Sequence, residues 1–136
     1  SHYWAVDDVG LVISPEQVLG QVHGGVVQGM GQAFGEHVIY DRETGQLLTG
    51  SYMDYPMPRA DTVPAMVIAH HSVPCCTNPL GVKGAGESGV AGSLPSAMNA
   101  VLHALSYAGV SALDMPFTSE RVWQALQAAQ PAQRLA

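Results

Sequence analysis

The residues best suited to chemistry lie in one glycine-rich run, GVKGAGESG at 81–89. Glu87 is a lone carboxylate between Gly81, Gly84, Gly86 and Gly89, with Lys83 four residues before it. A solvated loop needs far fewer glycines than this. A carboxylate that must meet a bulky ligand uses them, because glycine lets the backbone approach closely. Shielding from water disfavours the charged form of a carboxylate. That is the tuning a general base needs near neutral pH. Lys83 either pairs with Glu87 and cancels this effect, or points at an anionic ligand. The competing reading is an exposed turn glutamate, and the motif alone leaves both open.

Two other motifs carry less. Gly84, Gly86 and Gly89 match the dinucleotide pattern G-x-G-x-x-G, which requires a strand immediately before it and a helix opening on it. CCTNPLGVK precedes it, with a proline and no β-branched run, so a Rossmann site is disfavoured. HHSVPCC at 70–76 invites a zinc reading. However, His70 and His71 on a strand point to opposite faces, and structural zinc ligands come in spaced pairs. One histidine buried and one exposed is the favoured reading, with Cys75 and Cys76 as packing residues and no metal ligand assigned. A disulfide between these neighbours is strained, which points to a reducing compartment.

These residues need elements to position them. SPEQ at 14–17 is a helix start, with Ser14 as N-cap and Pro15 at N1, and the helix extends to about Gly35. It carries Gly20, Gly24, Gly25, Gly29 and Gly31, forgoing roughly 4–5 kcal/mol of helix propensity. Gln21, Gln28 and Gln32 share one stripe with Gly24, Gly25 and Gly35, while Leu19, Val26, Met30 and Phe34 form the opposite, core stripe. The small, neutral stripe admits a ligand or another backbone, or else tight packing beside solvated glutamines. Short strands are expected at 3–6, 10–13, 37–40 and 65–73, with a hairpin joining HVIY to QLLTGSYM. Residues 74–93 read as loop, and helices are expected from about Pro95 to Tyr107, closed by Gly109, and at 118–129, capped by Thr118. The fold class is α+β: a mixed β-sheet packed by two longer helices and a short C-terminal helix.

Composition bounds the function. The 136 residues are 47% hydrophobic and only 12% charged, about half the ~25% usual for a soluble domain. Part of the surface is therefore expected to be covered, as in a piece of a larger protein or a subunit, and the isolated chain is expected to self-associate. Net charge is −6 with five Lys plus Arg, so there is no basic run to track a phosphate backbone and nucleic acid is excluded as a partner. No apolar stretch reaches transmembrane length. SHYWAVDDVG lacks a signal-peptide pattern and reads as a strand entered midway. A cytoplasmic location is expected.

Taken together, GQVHGGVVQGMGQAFGE, LLTGSYMDYPMPRAD, NPLGVKGAGESG and DMPFTSERVWQAL resemble the molybdenum hydroxylases, the xanthine dehydrogenase and aldehyde oxidase superfamily. The resemblance runs from about Val6 to Leu126. It is to the C-terminal part of the large subunit's molybdopterin-binding domain, closest to the aerobic carbon-monoxide-dehydrogenase-like branch, so residues 1–136 read as a C-terminal segment of that domain. The resemblance implies that Glu87 is the catalytic base toward a metal-bound hydroxide that attacks an electron-poor carbon. It implies that Gln21 hydrogen-bonds the cofactor, that Gly84, Ala85 and Gly86 lie close to the metal centre, and that Lys83 helps set an anionic-ligand environment. The implied cofactor is molybdopterin, in its cytosine dinucleotide form. Iron–sulfur clusters and FAD are implied on partner subunits or domains, beside the rest of the large subunit. The double proline that follows this glutamate in the xanthine branch is missing here, which argues against a purine. Aldehydes, N-heterocycles and carbon monoxide stay open. The rival reading is a non-catalytic binding or assembly module that keeps the fold and lacks the redox chemistry.

Overall fold

A computed structural model describes residues 2–129. Its elements, in order, are β1 (His2–Asp7), α1 (Pro15–Phe34), β2 (Ala65–His70), α2 (Ser88–Ser106) and α3 (Ser119–Ala129). The class is α+β, as the sequence pattern implies. β1 and β2 pair in parallel, from His2 opposite Ala65 to Asp7 opposite His70. Antiparallel pairing among the described residues is confined to the bridges Gly10–Val82 and Tyr40–Leu47. The expected strands at 10–13 and 37–40 therefore shrink to single bridges, and the strand expected at 65–73 ends at His70. The chain forms two compact units, one running to Met30 with Pro58–Leu94, the other comprising Gly31–Met57 with the chain from Pro95 onward.

In the first unit the strands alternate as a half-covered sheet does. Tyr3, Ala5 and Asp7 turn inward, whereas Trp4 and Val6 are 71% and 70% exposed. Val9, Val22, Val26 and Ser93 are buried. The core face of α1 is Val22, Gly25, Val26 and Gly29. This corrects the expected stripe: Val26 is in the core, but Leu19 and Phe34 are 40% and 45% exposed. Gly25 belongs to the packed face, not to an open one. A Cβ on Gly25 would stand 2.9 Å from the Val90 nitrogen and 3.1 Å from the Gly89 Cα. A Cβ on Gly89 would run into the Val22 carbonyl oxygen and come within 2.9 Å of the Val26 nitrogen. The two helices thus meet backbone to backbone. One turn on, a Cβ on Gly29 would collide with the Ser93 hydroxyl.

That contact explains the largest departure from the expected elements. α2 starts at Ser88, seven residues before Pro95, and runs through the proline. Gly89 and Gly92 suggest a loop, and Pro95 suggests a first helical position. The apposed backbone of α1, which tolerates only glycine at 89, instead supports a helix there.

In the second unit Ala33, Ala97, Leu105, Val110 and Phe117 are buried. Phe117 N–H donates to the Ala33 carbonyl at 2.7 Å, and its ring lies 6.4 Å from that of Phe34. α2 ends at Ser106, and Gly109, whose φ is +84°, closes it as expected. Val110 N–H donates to Leu105 O and Gly109 N–H to Ser106 O, the paired bonds of a Schellman cap. Thr118 Oγ1 accepts from Arg121 N–H at 3.3 Å and caps α3. The 37–57 segment turns at Asp41–Gln46, with Leu48 N–H on Ile39 O and Asp41 N–H on Gln46 O, both at 2.8 Å.

The backbone contact makes neighbouring glycines unequal. Gly25→Ala should destabilise the protein by about 1–3 kcal/mol through overpacking. Gly24→Ala, where a Cβ meets nothing within 4 Å, should be neutral or stabilise by up to ~1 kcal/mol. Denaturant midpoints of the two variants check this, and equal effects would contradict the contact.

Candidate functional site

The site is built on the 81–89 loop, all of it in the first unit. Its root is pinned by backbone. Leu11 N–H donates to Gly81 O, and Lys83 N–H to Val9 O, each at 2.9 Å. The Asn78 side chain closes the turn below, its Nδ2 donating to Val82 O at 3.0 Å and its Oδ1 accepting from Val82 N–H at 3.3 Å. Gly10 and Gly81 both have φ of +66°. A Cβ on Gly10 would run into the Gly81 carbonyl and lie 2.9 Å from the Lys83 nitrogen. The run at 10–13 is thus the seat of the loop rather than a strand.

Lys83 does not turn to Glu87. Its Nζ lies 2.6 Å from Asp8 Oδ2. Asp8 Oδ1 also accepts from Gly10 N–H at 3.0 Å and Val73 N–H at 3.1 Å. Lys83 first, then these two amides, lower the Asp8 carboxyl from 3.8 to about 2. Asp8 does not stand out in the sequence as a site residue. Its bond to the amide two residues on is an Asx turn, the one local signal; its partner 75 residues away leaves none.

The tip is open. A Cβ on Gly84 or on Gly86 would meet no atom within 4 Å, and neither glycine has a positive φ. This fold does not itself require glycine at either position. Gln21 Nε2 donates to the Gly86 carbonyl at 2.7 Å, so two of the site residues expected from sequence do meet. Ala85 O accepts from Ser88 Oγ at 3.2 Å. Glu87 is the N-terminal flanking residue of α2, its carbonyl accepting from Ala91 N–H at 3.0 Å. Its side chain is exposed, not shielded, on this chain. Gly81 and Gly89 serve the backbone, Gly84 and Gly86 meet nothing, and none forms a wall against water.

The histidine–cysteine run behaves as a structural stretch. His70 is half-buried and His71 exposed. Cys75 Sγ lies 3.1 Å from Thr77 Oγ1. That hydroxyl, then nearby amides, lower the Cys75 thiol. Among the described residues no group of three His, Cys, Asp or Glu side chains could hold a metal.

A family model for the molybdopterin cofactor-binding domain matches residues 1–64. The chain is 40% identical over 125 residues to the carbon monoxide dehydrogenase large chain of Hydrogenophaga pseudoflava, covering 92% of this chain and 15% of that one. This chain belongs to the molybdenum hydroxylase family. The nicotine 6-hydroxylase large subunit of Paenarthrobacter nicotinovorans is 41% identical over 122 residues, 90% of this chain and 15% of its own. The structure of quinoline 2-oxidoreductase from Pseudomonas putida 86 superposes with a TM-score of 0.86 at 40% identity, over 91% of this chain and 16% of that one. The chain thus spans about 15% of the length of these curated relatives. Among the described residues no helix is long and apolar enough to cross a membrane.

The Asp8–Lys83 pair gives this family segment an acid-sensitive joint. A carboxyl lowered from 3.8 to about 2 in the fold contributes stability that is present above about pH 4 and lost as pH falls toward 2. Asp8→Asn should therefore flatten the stability curve between pH 4 and pH 2 and lower stability at neutral pH. Denaturant midpoints across that range check it. An Asp8→Asn curve as steep as the native one would contradict it.

Proposed function

We propose that this segment forms part of the cofactor wall of a molybdenum-dependent hydroxylase and supplies its base, Glu87. The carrying observation is that Gly84 and Gly86 are glycine without any need from the chain's own packing or backbone angles. What remains to account for them lies outside this chain, and we take it to be a bound ligand. The residues suit a large anionic cofactor: bare backbone at 84–86, a neutral amide at Gln21, and the N-terminus of α2, whose first N–H groups lack intrahelical acceptors and favour negative charge.

When bound, the molybdenum cofactor supplies the redox centre and the oxygen transferred to substrate. Gln21 orients it with its amide and, through the Gly86 carbonyl, sets the loop height. Gly84, Ala85 and Gly86 let it sit against main chain. Glu87, projecting from the helix start, takes the proton released as the new carbon–oxygen bond forms. Glu87 is exposed on this chain, so the base role requires the rest of the large subunit to close over it. Exposed Trp4 and Val6 and the low charge content support the same coverage, and also self-association of the isolated segment.

The finer reading follows the relatives. The substrate offers an electron-poor carbon, as an N-heterocycle, an aldehyde or carbon monoxide. Relatives named for nicotine and quinoline represent the N-heterocycles, and one named for carbon monoxide represents the last. The cofactor is the cytosine dinucleotide form, iron–sulfur and flavin subunits carry electrons away, and the complex is cytoplasmic.

Glu87→Gln in the complete complex tests the base. The amide keeps shape and hydrogen bonding but accepts no proton. Turnover should fall by ~10²–10⁴ with molybdenum and pterin content unchanged, and substrate reduction of the metal should slow equally. A drop in kcat under about threefold at full cofactor content, against that ~10²–10⁴ expectation, would show that Glu87 is a turn residue beside the site.

A further inference from the structure

Lys83 sits four residues before Glu87, on a flexible four-carbon stem. Four residues span at most about 14 Å even when extended, and this stretch includes a turn at 86–87. An ammonium so placed is a natural partner for Glu87, and an ion pair there would hold the carboxylate in its charged form and weaken it as a base. The structure shows the ammonium 2.6 Å from Asp8 instead.

The backbone of the root does not depend on that pair. Residues 81–83 are fixed by main-chain bonds to Val9 and Leu11 and by Asn78. Asp8 itself is fixed by the amides of Gly10 and Val73 on its other oxygen. What the Asp8 carboxylate adds is the position of one cation. Other titratable groups at this end of the unit include Asp7, His70 and His71 at the strand ends, Cys76, and Cys75, whose thiol also feels the Lys83 charge.

We propose that Asp8 is a positioning residue for Glu87: it holds the Lys83 ammonium at the loop root and so keeps it off the Glu87 carboxylate. The assignment rests on Glu87 being the base. Asp8→Asn is the informative change, because an asparagine oxygen still accepts from Gly10 and Val73 while the ion pair is lost.

The complete, cofactor-loaded complex is compared as native, Asp8→Asn, Lys83→Met and the double variant. Asp8→Asn should lower kcat several-fold at neutral pH, move the acid limb of the pH–rate profile to lower pH, and leave molybdenum content unchanged. A crystal structure of that variant should place Lys83 Nζ within ion-pair distance of Glu87. With Lys83→Met in the background, Asp8→Asn should add nothing, the double variant matching Lys83→Met alone. An unmoved acid limb in Asp8→Asn overturns the proposal, as does the same shift with or without Lys83. Normal turnover in Glu87→Gln defeats the base assignment itself, whereas a collapse in Glu87→Gln with an unmoved limb in Asp8→Asn defeats the positioning role alone.

Discussion

The contact of bare backbone on bare backbone, Gly25 of α1 against Gly89 of α2, governs the geometry of this segment. Any side chain at either position would need the space now held by the other helix. Because the helices touch there, the first turn of α2 is fixed against α1, and Glu87 at its start is fixed with it. Gln21 lies one turn before Gly25 on the same helix and reaches the loop at Gly86. The helix propensity given up to glycine, about 0.8–1 kcal/mol per residue, is the cost of this close approach.

The glycines divide by cause. Gly25, Gly29 and Gly89 serve helix packing, while Gly10 and Gly81 serve positive φ at the loop root. Gly84 and Gly86 serve neither. On the proposed reading, the tip of the loop answers to something beyond the chain's own fold. A two-stranded parallel sheet with Trp4 and Val6 on its open face points the same way, since parallel sheets are ordinarily covered on both faces.

Legibility in the sequence followed the range of the interaction. Pro15, Thr118 and Gly109 act through neighbouring residues, and the helix ends they mark were readable. The Gly-x-Gly-Glu loop and its glutamine helix were readable through the family resemblance, and the structure joins them by the Gln21–Gly86 bond. The start of α2 at Ser88 was not readable, because glycine breaks helices by propensity and is permitted here only by a helix far away in sequence. The core stripe of α1 was misplaced for the same reason. Glycines at 25 and 29 mark the buried face, whereas hydrophobicity favours Leu19 and Phe34. The role of Asp8 depends on a lysine 75 residues on, a separation no local pattern carries.

The central claim is that the loop tip is shaped for a cofactor and not for the fold. Gly86→Val in the complete large subunit tests it most directly, by metal analysis beside thermal stability of the cofactor-free protein. A Cβ at 86 meets no atom within 4 Å beyond its chain neighbours, so stability should be nearly unchanged while molybdenum per subunit falls several-fold. Full molybdenum loading in a stable Gly86→Val protein would contradict the claim.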